Sequence, residues 1–233
     1  MFRFKQFSVD QTGCAMKINT DGVLLGAIAD ADSPQSILDI GTGTGVIALM
    51  LAQRFTDAII DAVEIDRSAA ATAGLNFKNS IFHERLHIHC ADINEFDGNL
   101  EGKYDLIVSN PPFYINSLES PAERKTLAKH TEASFFGMLI MRIAGFLTDK
   151  GSCWLILSID AAAEVKPLIK QNGMCLWRTT DVHSYPHSEP HRAILCFGFE
   201  EVSQQTSKFT IYKTVGVYSE EYQKLLKPYF VIF

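Results

Sequence analysis

From Ser36 onward the chain alternates short apolar runs with stretches of helical spacing, and this alternation limits the fold more than any other feature. SILDI (36–40), AIIDAVE (58–64), LHIHC (86–90), YDLIVS (104–109) and GSCWLILS (151–158) have the length and content of strands. GVIALMLAQRF (45–55), RSAAATAGLNFKNS (67–80), TEASFFGMLIMRIAGFL (131–147) and AAAEVKPLIKQ (161–171) have helical spacing, with Pro167 expected to cut the last one short. Strand and helix in turn predict an α/β fold, a mostly parallel sheet with helices on both faces. MCLWRTTDV (174–182) and RAILCFGFE (192–200) have only a loop between them, so they are expected to pair antiparallel. The reading is one domain over residues 1–233: an N-terminal cap at 1–35, a core at 36–200 and a C-terminal extension at 201–233. The cap carries KINTDGVLLGA (17–27), a polar turn and a short helix-like stretch. The extension carries FTIY (209–212) and the amphipathic YSEEYQKLLKPYF (218–230), read as a small cap packed on the domain.

The formal charge of −6 argues against a non-specific nucleic-acid binder, while leaving room for local basic patches. Arg3, Lys5 and Lys17 form one cluster, Arg124, Lys125, Lys129 and His130 a second, and Lys208, Lys213, Lys224 and Lys227 a third. No apolar run approaches the ~18 residues of a membrane span, and MFRFKQFSVD has no signal core, so a cytoplasmic chain is expected. The five cysteines are scattered without a CxxC, as in reduced proteins. His87 and His89 share a strand face but Cys90 points away, and Pro186 and Pro190 interrupt the spacing of His183, His187 and His191. No metal site is expected.

The first strand runs into DIGTGTGVIALML. Gly41, Gly43 and Gly45 lie where a strand turns into a helix, so the backbone can turn tightly and admit a ligand closely. Helix N–H groups point into that crevice. Glu64, ending the next strand, can accept both hydroxyls of a ribose. Asp39 would repel a pyrophosphate but suits a cationic amino-acid head group. S-adenosyl-L-methionine has such a head group, a ribose diol and no phosphate. Asp92 in CADINEF can accept from an adenine amine. Thr42, Ile65 and Ile93, beside these residues, and Asn110, at the end of the fourth strand, belong to the expected cofactor set as well.

SNPPFY (109–114) closes the fourth strand. Pro111 and Pro112 stop the sheet, and the residue before a proline is held extended, so Asn110 is presented stiffly at the strand end. If the Asn110 side-chain oxygen and the Pro111 carbonyl accept the two hydrogens of a planar amine, its lone pair can turn toward the cofactor methyl. Phe113 would stack on the base. Asn110, Pro111, Pro112 and Phe113 are therefore the candidate catalytic residues.

DIGTGTG, Glu64, Asp92 and NPPF resemble the motifs of class I S-adenosylmethionine-dependent methyltransferases that act on planar amino groups. That resemblance implies a seven-stranded Rossmann-like sheet with a β-hairpin at its end. Across nearly the whole chain, FKQFSVDQTGCAMKINTDGVLLGA, IDAVEID, FDGNLEGKYDLIVSNPPFY, the PHRAILCF segment and YSEEYQKLLKPYFVIF are similar to the bacterial tRNA(Val) adenine-N6 methyltransferase family. The resemblance implies methylation of the adenine 3′ of the valine anticodon, with tRNA as partner and neither membrane nor metal. It also implies that Lys17, Asn19, Thr20 and Asp21 close over the cofactor, and that Phe113, Tyr114, Arg124, Lys125, Lys129 and His130 meet RNA. NPPF stands where NPPY is commoner. Three other activities suit parts of the same pattern. A release-factor glutamine methyltransferase would need a larger N-terminal substrate domain. A ribosomal RNA guanine-N2 enzyme also carries NPPF, and a module that binds the cofactor without turnover would not need Asn110.

Overall fold

The computed structural model describes residues 1–14, 16–98, 103–111 and 123–233, with 123–133 described by backbone alone. Strands β1 (Phe2–Arg3) and β2 (Ser8–Val9) form a small antiparallel pair before helix α1 (Thr20–Ile28). The core then runs β3 (Ser36–Ile40), α2 (Val46–Arg54), β4 (Ile59–Glu64), α3 (Arg67–Lys78), β5 (Leu86–Cys90) and β6 (Tyr104–Ser109). It continues through α4 (Glu123–Phe146), β7 (Leu147–Leu157), α5 (Ile159–Gln171), β8 (Cys175–His183), β9 (Pro190–Gly198) and β10 (Gln205–Thr210). The short strands β11 (Tyr212–Thr214) and β12 (Val217–Tyr218) and helix α6 (Glu220–Leu226) follow.

The main sheet has the order β5-β4-β3-β6-β7-β9-β8-β10, and β9 alone runs antiparallel to its neighbours. Its strands are apolar on both faces because helices cover both. Ile37, Leu106, Trp154 and Ile194 point to one side, where they pack with α1, α2, Phe77 of α3 and Leu226 of α6. Their chain neighbours Leu38, Ile107, Leu155 and Leu195 point to the other, against Leu139 and Ile140 of α4 and Val165 and Ile169 of α5. Several helices start on a side-chain cap. Asn19 accepts from Gly22 N, Asp66 from Ala69 N, Ser158 from Ala161 N and Ser219 from Tyr222 N, each worth about 1 kcal/mol.

The alternation read from the sequence appears as expected, with three differences. Helix α5 passes through Pro167, because Val165 and Ile169 on its buried face hold the turn that the missing N–H weakens. Strand β7 begins at Leu147 rather than at 151, directly after α4. The sheet has eight strands, not seven. The segment read as a cap supplies the eighth, β10, which pairs parallel with β8 from Gln205↔Arg178 to Thr210↔His183. Its Phe209 is buried and packs near Tyr222 of α6.

Phe209 therefore anchors the edge strand to the first core. Phe209→Ala should lower the unfolding free energy by about 3 kcal/mol, seen as a lower urea midpoint with unchanged slope. An unchanged midpoint would show that β10 lies outside the cooperative unit.

Candidate active site

The C-terminal ends of the parallel strands gather the candidate residues on one edge of the sheet, where open α/β sheets hold ligands. Strand β3 lies between β4 and β6, with Ile40 opposite Val63 on one side and Ser109 on the other. The glycine loop, Glu64 and Asn110 thus leave three adjacent strands.

Gly41, Gly43 and Gly45 all have positive φ, 71°, 57° and 81°. Gly41 and Thr42 donate their N–H groups to the Val63 carbonyl at 2.8 and 3.1 Å, which holds the loop against β4. The Gly43 N–H donates to Glu64 Oε2 at 2.9 Å, and Asp66 N donates to Glu64 Oε1 at the same distance. Glu64 is buried, and each of its oxygens keeps a second lone pair. A Cβ on Gly41 or Gly43 would meet open space, whereas one on Gly45 would lie 2.5 Å from the Phe77 ring. The first two glycines face the crevice and the third lets α2 approach α3.

Asp39 is fully buried. Thr42 Oγ1 donates to its Oδ2 at 2.6 Å, while its Oδ1 is buried with no hydrogen-bond partner. Burial pushes its pKa up to about 7 against the pull of the Thr42 hydroxyl and the Ala48 N–H. Asn110 Oδ1 is likewise buried and without a hydrogen-bond partner among the described residues. Its Nδ2 lies 3.8 Å from where a Cβ on Gly22 of α1 would sit. Two buried oxygens without donors and an open cradle over Gly41 and Gly43 fit a cationic, ribose-bearing ligand. Asp39 would meet the cation, Glu64 the ribose, and Asn110 an amine.

The other expected residues fall into place unevenly. Asp92 is half-buried, its Oδ1 accepting from Asn94 N and Nδ2 at 2.8 and 2.9 Å. Ile65 is exposed beside Glu64, while Ile93 packs against the second core. Lys17 and Thr20 are exposed. Asp21 does not stand free: Arg192 Nε donates to its Oδ2 at 2.7 Å. Pro111 is buried at the end of β6. Pro112, Phe113 and Tyr114 lie outside the described residues, and the side chains of Arg124, Lys125, Lys129 and His130 lie outside the described part of α4. His89 bonds Asp61 at 2.7 Å, and Tyr104 donates to the other Asp61 oxygen at 2.8 Å.

Two residues escaped the sequence reading. Asn76 donates to the carbonyls of Asp10 and Thr44 and accepts from Asp10 N, so it ties the N-terminal segment to the glycine loop. A signal was present, since Asn76 is a polar residue on the buried stripe of α3 that also holds Ala69, Ala73 and Phe77. Arg192 carries no such signal, because its partner is 171 residues away.

The chain matches the family model described as the methyltransferase small domain over residues 17–171. A tRNA1(Val) (adenine(37)-N6)-methyltransferase of Pedobacter heparinus is 46% identical over 100% of this chain and 98% of its own. One from Porphyromonas gingivalis is 41% identical over 99% of this chain and 94% of its own. Among solved structures, the predicted O-methyltransferase Atu636 of Agrobacterium tumefaciens superposes with a TM-score of 0.70 at 17% identity, covering 90% of this chain and 96% of that one. That likeness concerns the fold.

Because Asp39 holds a proton more tightly in the folded chain than in the unfolded one, its contribution to stability is complete below about pH 4. That contribution is lost as pH rises through about 7. The wild type without ligand should lose stability relative to Asp39→Asn across that window, read from urea midpoints against pH. Parallel curves would show that Asp39 titrates normally.

Proposed function

Because the chain belongs to the methyltransferase small domain family, we propose that it methylates N6 of adenine 37 in tRNA(Val), in the cytoplasm. The near full-length similarity to tRNA1(Val) (adenine(37)-N6)-methyltransferases supports that substrate. We take the whole chain as one methyltransferase domain. The observation that carries the chemistry is the buried Asn110 oxygen, which no donor among the described residues reaches.

S-adenosyl-L-methionine, when bound, supplies a methyl group on a cationic sulfonium, a good leaving group. This chain's residues do the positioning. Glu64 is fixed by the Gly43 and Asp66 N–H groups and presents its remaining lone pairs to ribose hydroxyls. Buried Asp39 favours a cation in the crevice, because a positive charge offsets the cost of ionising a carboxylate there. Asn110 Oδ1 and the Pro111 carbonyl accept the two hydrogens of the adenine amine. That holds the amine so that its lone pair leaves conjugation with the ring and points at the methyl carbon. The same acceptors stabilise the positive charge that grows on the nitrogen, and the surplus proton leaves to solvent. The target base must be out of its stack to reach this edge.

The test uses purified protein, S-adenosylmethionine and tRNA from cells lacking the enzyme, with nucleoside mass spectrometry. N6-methyladenosine should form with the wild type. Asn110→Ala should lose about 100-fold in kcat while calorimetry shows unchanged cofactor affinity. Cofactor binding without product on any tRNA would sink the substrate assignment, and wild-type rates in Asn110→Ala would remove the role of Asn110.

A further inference from the structure

Strands β8 and β10 end on the same edge as Asn110, because both run parallel to β6 and β7 through the order β6-β7-β9-β8-β10. A row of tyrosines stands there. Tyr185, 36% exposed in the β8–β9 connection, lies 5.7 Å from Tyr212. Tyr212 stacks on Tyr218 at 5.0 Å and 19°, and Tyr218 on the buried Tyr222 at 4.7 Å and 9°. Backbone bonds fix the row to the sheet: Ile211 N to the His183 carbonyl and Tyr212 N to the Ser184 carbonyl, both 2.9 Å. At its inner end Tyr218 and Tyr222 line a cleft of about 400 Å³ with Asn19, Thr20 and Arg3. Asn19 caps the helix on which a Cβ at Gly22 would lie 3.8 Å from Asn110 Nδ2. The row therefore leads from open solvent to the wall of the active site.

We infer that Tyr185, at the open end of the row and 36% exposed, is the stacking face for an unpaired base of the RNA substrate near the methylated nucleotide, with the mutually stacked Tyr212, Tyr218 and Tyr222 as its support. The inference rests on the tRNA reading above. Tyrosines also suit protein partners, so the choice of nucleic acid rests on the cations that border these rings. Arg3 lines the cleft, Lys208 Nζ donates to the Pro186 carbonyl beside Tyr185, and Lys213 is exposed on β11. Of the acids close by in the chain, Glu221 is engaged by the Thr210 N–H, while Glu189 and Glu220 are exposed. In a chain of net charge −6, cations beside a stacked aromatic row suit a single strand of nucleic acid, whose bases stack on rings while its phosphates meet the cations. The row starts three strand spacings, about 14 Å, from β6, a span that a few nucleotides of loop cover.

The experiment measures binding of a synthetic anticodon stem-loop RNA by anisotropy, alongside cofactor affinity, thermal midpoint and methylation kinetics. Tyr185→Ala should weaken RNA binding about tenfold and raise KM for RNA with little change in kcat, cofactor affinity or melting. Tyr185→Phe should restore binding, since the ring remains. Wild-type affinity in both Tyr185→Ala and the Tyr185→Ala/Tyr218→Ala double variant would overturn the inference, as would a wild type that binds no RNA. A wild type that binds the stem-loop without methylating it would fail the substrate assignment alone, and the same variants would still decide the platform. Loss of self-association in sedimentation, with RNA binding intact, would overturn it in favour of a protein partner.

Discussion

The catalytic edge depends on three left-handed residues within the five positions from Gly41 to Gly45. Side chains with a Cβ pay of order 1 kcal/mol or more for that conformation, so only glycine makes the turn cheaply. Once the turn is made, the Gly43 N–H reaches Glu64, and Glu64 in turn fixes the start of α3 through Asp66 N. Gly45 lets α2 close on Phe77. One loop thereby sets the position of a carboxylate, two helices and an open cradle.

That edge is then locked from a distance. Asn76 clamps the Asp10 backbone to the Thr44 carbonyl, so the N-terminal segment cannot move without disturbing the glycine loop. Arg192, on a strand two places beyond β6, holds Asp21 at the start of α1. The pair is only partly exposed, 27% and 13% for its two side chains, so screening is weaker than at an open surface. Gly22, next to Asp21, faces the Asn110 amide closely enough that a Cβ there would lie 3.8 Å from Nδ2. The segment the family resemblance places over the cofactor is thus tied to the sheet.

Most of the core was legible because its strands are buried on both faces and read as apolar runs, and because helical spacing between them is unambiguous. The glycine loop, Glu64 and Asn110 were legible for a related reason. Each sits at a strand end, where strand-loop-helix order assigns it to the crevice. Strand β10 was not legible, since QTSKFT is polar and its first four residues are exposed at the sheet edge. It forms because β8 offers an unpaired edge, which is a property of the assembled sheet. The same limit hid Arg192 and the tyrosine row, whose members are spread from Tyr185 to Tyr222.

The sequence by itself determined the layer order, the turn into α2 and which residues stand at each strand end. Those follow from local backbone preference and from the period of apolar residues, which act over a few positions. Only the tertiary structure decided that Asp39 and Asn110 each keep a buried oxygen without a donor among the described residues, that Asp21 pairs with Arg192, and that four tyrosines line up beside the active edge. Burial and pairing depend on which distant elements arrive next to a residue, and no local pattern encodes that.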